Sequence, residues 1–413
     1  MKILMSAYAC EPGLGSEEDL GWNTARETAS SHEVWVLTRT FSRSAIEVEL
    51  LHNPVPNLHF VYFEPLGWSE DWKGKQGLVQ LHYYLWQIQA YFVAKTLHKT
   101  QEFNFTWHST YAKYWGPSFL SLLAIPFIWG PVGGGETAPI DFWKDFSLRG
   151  KLYEALRILA QRIGEQDPFT KMTAQRSFLA FATSEETAER LRHLKAKNVH
   201  ILSSVGLSET DIKQLANCLQ PADNVIRFVS IGRLLHWKGF HLGLRAFAAA
   251  QIPNSEYWFF GDGPERKRLE SLAEKLQVAQ KVKFWGAVPR KEILSKLEKC
   301  HVLVHPSLHD SGGWVCSEMM AAGRPVICLD LGGPSVQITK ETGIKVPAHN
   351  PEQAVNGLMA AMIQLASDSD LRTQMGQAGQ RRVREHFSWK VKGQYFSNLY
   401  EKILIKSKCS TNF

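Results

Sequence analysis

Two carboxylates with seven residues between them, Asp310 and Glu318, lie in "HDSGGWVCSEMMAAGRPVI". The pattern reads as a strand ending near His305, a loop holding Asp310 with Gly312 and Gly313, a helix holding Glu318, and an apolar strand from Pro325 to Leu329. The glycine pair would let bare backbone N–H groups approach a ligand, and a helix start adds a positive dipole end that suits polar oxygens and anions. Two acids at different depths suit a polyol with hydroxyls along its length. Acids are also common at helix starts for dipole reasons alone. Glu318, however, precedes "MMAAG", a small, apolar sequence expected on a buried face, where a carboxylate needs a partner.

A second constellation is cationic. "IGRLLHWKG" places Arg233 just past a strand and Lys238 at a helix start, with Gly232 and Gly239 alongside. Two cations beside helix N–H groups balance the charge that grows on a diphosphate leaving group, with no divalent metal required. Taken singly, either residue also reads as surface charge. "FFGDGPERKRLE" carries Gly261 and Gly263 but has Arg266 where a dinucleotide fingerprint needs its third glycine, and the loop with Gly13 and Gly15 has Glu18 there. Nicotinamide and flavin dehydrogenases are therefore disfavoured. His108 sits at a strand end without Ser/His/Asp spacing, open to a structural or a functional role, and His309 reads as incidental. No His or Cys spacing calls for a metal, so none is expected.

The elements that must position these residues repeat. "KILMSAY", "EVWVLTR" and "NLHFVYF" read as strands, with a helix from Trp22 to Ala29. An aromatic insertion (Trp68, Trp72, Tyr83, Tyr84, Trp86, Tyr91, Phe92) follows, with a helix over 78–99 that fits a core or a membrane interface. Helical sequence runs from Leu148 to Arg176. Strand and helix steps begin again near Val225, after the polar "NCLQPADN". The expected fold class is α/β, with two facing Rossmann-like doubly wound domains, ligand between them, and a C-terminal amphipathic helix packing back on the first domain. The expected boundaries are 1–205, 206–388, the helix at 389–405, and a disordered tail at 406–413.

Composition bounds the function. A chain of 413 residues with 44% hydrophobic and 21% charged residues predicts about two globular domains. The net charge of +7 favours anionic partners, but no compact basic run or nucleic-acid signature accompanies it, so nucleic acid is not expected. Six scattered cysteines suit a reducing, cytoplasmic compartment, and no segment is apolar for long enough to span a bilayer.

As a set these motifs resemble the retaining, group 1 glycosyltransferases of the GT-B fold. Asp310, seven residues, then Glu318 is similar to that family's Glu, seven residues, Glu motif and the helix and strand after it; "IGRLLHWKG", "FFGDGPERKRLE" and the "GLGS" loop extend the likeness. The resemblance implies that Arg233 and Lys238 hold a donor diphosphate, with Gly232 and Gly263 in the same donor-binding loops. Glu318 would bond the nucleotide ribose. Asp310 and the backbone of Gly312, Gly313 and Trp314 would hold the donor sugar. Gly15 would meet the diphosphate or the acceptor, and His108 the transferring sugar. Asp310 departs from the family's usual Glu by one methylene, which bears on the donor's identity. The implied activity needs no cofactor beyond the nucleotide-sugar donor. It passes the sugar to a glycan, lipid-linked or other hydroxyl acceptor at the cytoplasmic face of a membrane or in solution. A nucleotide-sugar epimerase and a non-catalytic nucleotide-sugar-binding protein remain alternatives.

Overall fold

A computed structural model describes residues 1–69, 78–219, 221 and 224–410. Trp72 of the aromatic insertion and residues 411–413 of the expected tail lie outside them. The chain divides into two compact units, Met1–Gly135 with Leu159–Gly206 and Trp389–Phe413, and Glu136–Ile158 with Leu207–Ser388. Residues 136–158, expected in the first domain, thus group with the second.

The first unit is built on β1 (Lys2–Ser6), β2 (Glu33–Thr38), β3 (Leu58–Tyr62), β4 (Phe105–His108), β5 (Phe127–Val132), β6 (Leu179–Ala182) and β7 (Val199–Ile201). All pair in parallel in the order β3-β2-β1-β4-β5-β6-β7. A parallel sheet covered by helices on both faces needs strands that are apolar throughout, and Ile3, Leu4 and Met5 of β1 are all fully buried. The first helix, Gly15–Ala29, begins one and a half turns or more before the expected start at Trp22, so Gly15 opens the helix. The expected helix at 78–99 is Val79–Gln101. The helical stretch after Leu148 is two helices, Leu148–Gln166 and Pro168–Arg176. Pro168 cannot continue a helix but suits a first helical turn, and Asp167 caps the new start by accepting from the Phe169 N–H.

The last helix, Trp389–Ser410, runs past the expected end at 405, so residues 406–410 are helical. It returns to the first unit: the Phe396 ring lies 4.8 Å from that of Trp107, and the Tyr400 ring 4.7 Å from that of Phe105.

The second unit holds β8 (Ile226–Ile231), β9 (Ser255–Phe260), β10 (Val282–Gly286), β11 (Val302–His305), β12 (Val326–Leu329) and β13 (Gly343–Val346). They too are parallel, in the order β10-β9-β8-β11-β12-β13. In each sheet the first strand stands beside the fourth, and the strand order reverses at that pair. Open parallel sheets bind ligands at this switch point, beyond the strand C-termini.

Candidate active site

The switch point of the second sheet lies between β8 and β11, and both main constellations project from it. The loop after β8 carries Gly232, Arg233 and Lys238; the loop after β11 carries Asp310, Gly312 and Gly313. Gly239 adopts a left-handed conformation, and a Cβ there would sit 2.0 Å from the Pro306 carbonyl oxygen. The two loops therefore touch backbone to backbone, and only glycine permits it. The Leu308 N–H donates to the Trp237 carbonyl at 2.8 Å, lacing them further. Gly263 follows the same logic: a Cβ would come within 2.6 Å of the Leu234 carbonyl oxygen, so its small size serves loop packing.

This lacing brings charges together. Lys238 Nζ donates to Asp310 Oδ2 at 2.5 Å, and His305 Nε2 stands 3.2 Å from the same oxygen. The N–H groups of Gly313 and Gly312 donate to Asp310 Oδ1 at 3.1 and 3.3 Å. Burial opposes ionisation of Asp310, but the Lys238 charge and the His305 hydrogen bond outweigh it and hold the carboxyl far below the usual carboxylate range. Asp310 is thus an anion whose two oxygens each accept two hydrogen bonds from the chain. The Gly312 and Gly313 N–H groups, expected to point at a ligand, point at Asp310 instead.

Two helices start beside this pair, Phe240–Ala250 behind Gly239 and Trp314–Ala321 behind Gly313. Neither start is capped by a side chain, so the positive ends of both dipoles are presented by backbone. Glu318 lies four residues after Trp314 on the same helix face and is half-buried, while its neighbours Ser317 and Met319 are fully buried. Arg233 is exposed.

Residues 212–382 match the family of glycosyl transferases group 1. The second unit carries a group 1 glycosyltransferase domain. The chain is 31% identical over 191 residues to the lipopolysaccharide core biosynthesis glycosyltransferase LpsD of Rhizobium meliloti, across 46% of this chain and 53% of that protein. It thus spans about half the length of that curated relative. Among solved structures it resembles the sucrose-phosphate synthase of Thermosynechococcus elongatus, with a TM-score of 0.65 at 18% identity over 98% of this chain and 99% of that one. It also resembles Anabaena HepE in complex with UDP and glucose, with a TM-score of 0.58 at 17% identity over 97% and 100%. The two parallel sheets are those of the GT-B fold.

Around this glycosyltransferase domain's paired charges stand acids and histidines that sequence reasoning did not assign. His305 ends β11 before Pro306, where a polar residue closing an apolar strand was the available signal. Glu136 is buried and its Oε2 accepts from Ser311 Oγ at 2.6 Å. His309 is not incidental, because its Nε2 lies 3.0 Å from Glu154 Oε1, which also bonds His236 Nε2 at 2.9 Å. Glu154 and His236 carried no local signal.

His108 and Gly15 belong to the first unit, at its own switch point between β1 and β4. The His108 ring is fully buried. Its Nε2 lies 2.9 Å from the Thr110 carbonyl, which places the proton on Nε2, and 3.1 Å from Tyr83 Oη. Burial lowers its pKa to about 4, so the imidazole is neutral. A ring enclosed in this way is not presented to a sugar, contrary to the expectation for His108. Gly15 is exposed, with φ +74°.

Proposed function

We propose that this chain is a metal-independent, retaining glycosyltransferase that moves a sugar from a nucleotide-diphosphate donor to a hydroxyl of a glycan or lipid-linked acceptor. The observation that carries this reading is the Lys238–Asp310 pair at the switch point of the second sheet, beside two helix starts without side-chain caps. Lys238, the exposed Arg233 and the helix starts supply fixed positive charge for a departing diphosphate. Glu318 takes the ribose hydroxyls. Asp310, fixed by the Gly312 and Gly313 N–H groups, sets the sugar's position together with the Trp314 backbone, and Lys238, held by Asp310, links sugar placement to phosphate placement.

In the retaining reaction the acceptor oxygen attacks on the face the diphosphate leaves, and the leaving phosphate helps to take the hydroxyl proton. That demands positioning and preorganised charge rather than a covalent nucleophile. HepE's complex with UDP and glucose favours a uridine donor, and LpsD's name favours a surface glycan acceptor. The same reading places the chain in the cytoplasm, touching an anionic membrane through the first unit. Among the described residues no helix is long and apolar enough to cross a membrane.

Calorimetric titration with UDP, GDP, ADP and their common sugars in EDTA tests the donor site on wild type and Glu318→Ala. One nucleotide binding without metal, and at least tenfold weaker in the variant, is the expected result. Binding that requires metal or ignores Glu318 would refute the site assignment. Donor turnover without any acceptor would favour the epimerase, and binding with no nucleotide release to any acceptor would favour a non-catalytic protein.

A further inference from the structure

The buried acid Glu154 does nothing in the donor chemistry above, yet it touches both loops that carry it. Its side chain, on the helix Leu148–Gln166, is fully buried, and a single oxygen, Oε1, accepts from His236 Nε2 at 2.9 Å and from His309 Nε2 at 3.0 Å. His236 lies two residues before Lys238, and His309 immediately precedes Asp310. The Trp237 ring is stacked with those of Tyr153 and His309, at 4.9 and 5.2 Å between ring centres. One helical turn, Tyr153 and Glu154, therefore grips the residues next to each member of the Lys238–Asp310 pair.

We propose that Glu154 is a positioning residue: it fixes the loops after β8 and β11 through His236 and His309, and so sets the separation of Lys238 and Asp310 on which donor binding depends. The charge balance supports this arrangement. Burial works against ionisation of Glu154, but the hydrogen bonds from His236 and His309 hold its carboxyl down to about 2, so it stays an anion. An anion without these two donors would be costly at a site closed to solvent, so the two loops are bound to Glu154 as firmly as it is to them. Glu136 repeats the motif in the same 136–158 segment by holding Ser311, one residue beyond Asp310. Neither acid reaches the donor residues themselves; each acts through a neighbour.

The proposal rests on the reading of Lys238 and Asp310 as donor-site residues, and its test separates the two. Imidazole nitrogen NMR of the full-length protein reads the clamp without any activity. Two protected Nε2–H signals, assigned by His236→Gln and His309→Gln, are expected in wild type and in Glu154→Gln, whose amide oxygen still accepts, and both are expected to vanish in Glu154→Ala. Their survival in Glu154→Ala would overturn the clamp even if no nucleotide bound to any variant. Kinetics then read the positioning: Glu154→Ala is expected to raise the donor KM at least fivefold with the acceptor KM unchanged, and Glu154→Gln to restore most of the loss. If the alanine variant does not fold, His309→Phe, which keeps the stack on Trp237 and removes one donor, is expected to raise the donor KM at least twofold. A donor KM unmoved in the variant measured would overturn the positioning role, whereas wild type that binds no nucleotide would refute the donor-site reading and leave the NMR result to judge the clamp.

Discussion

Lys238 and Asp310 meet at 2.5 Å from loops that leave neighbouring strands 72 positions apart in the chain. Because Asp310 Oδ1 is simultaneously held by the N–H groups of Gly312 and Gly313, the carboxylate has one geometry available to it. A short side chain closes this turn on its own backbone, as Asp does in an Asx turn.

The family's usual Glu is therefore not interchangeable with Asp310 here. In Asp310→Glu the extra methylene displaces the carboxylate from the glycine N–H groups or from Lys238. Donor-dependent kcat/KM is expected to fall by about tenfold, corresponding to about 1.4 kcal/mol of transition-state binding. Asp310→Asn keeps the turn and loses the charge, and is expected to lose more. Steady-state kinetics with the donor identified by calorimetry decides this; an Asp310→Glu enzyme at least as active as wild type would show that the turn is incidental.

Contact between the two loops depends equally on Gly239. In Gly239→Ala the new Cβ would lie 2.0 Å from the Pro306 oxygen in a left-handed conformation that alanine resists. The combined strain and overpacking is expected to cost about 2–5 kcal/mol. Urea unfolding of wild type and variant measures it, and a loss below about 0.5 kcal/mol would mean that the loops part easily.

What the sequence made legible follows from how local each signal is. The inner strands of both sheets are short, largely apolar runs next to glycine-bearing loops, and they stood out because a strand buried on both faces has few polar positions. Arg233, Lys238 and Asp310 stood out because their loops follow such strands directly, and Glu318 because its helix follows the Asp310 loop. Glu154 did not, since its role depends on His236 and His309, 82 and 155 positions away, and on residues 136–158 grouping with the second unit while their sequence falls amid the first. His108 misled for the opposite reason: its place at a strand end was read correctly, but Tyr83 and Thr110 enclose it. The start of the first helix was missed because Gly15 and its acidic neighbours look like loop, although acids in a first turn are stabilised by the helix dipole.

In the first unit, Pro65 and Leu66 with Leu85, Ile88, Phe92 and Val93 of the helix Val79–Gln101 line an apolar groove. Leu66 is 91% and Phe92 61% exposed, and the helix contains Lys95 and Lys99 but no acid. Apolar surface beside positive charge suits an anionic bilayer. Vesicles rich in phosphatidylglycerol are expected to bind the protein at low salt, several-fold more weakly at about 0.5 M salt and in Phe92→Glu. Sedimentation with no protein bound at low salt would remove the membrane from the proposal.

The helix Trp389–Ser410 carries a lysine in the interior of the first unit. Lys392 is only 4% exposed, its Nζ donates to the Ser203 carbonyl, and burial lowers its pKa from 10.5 to about 7. Between pH 7 and 10.5 the unfolded chain binds this proton and the folded chain has largely released it, so unfolding takes up a proton and stability from this group rises with pH. Below pH 7 the residue is charged in both states and the folded state bears the full cost of burying the ammonium, less what the Ser203 carbonyl returns. Lys392→Met removes the titration, so its stability advantage over wild type should be largest at pH 6 to 7 and shrink towards pH 9, by at most about 1.4 kcal/mol per pH unit. Urea unfolding of both proteins at each pH gives that difference directly, with the other titrating groups common to both. A difference that stays constant with pH would show that Lys392 keeps its ordinary pKa, and that the Ser203 carbonyl fully offsets its burial.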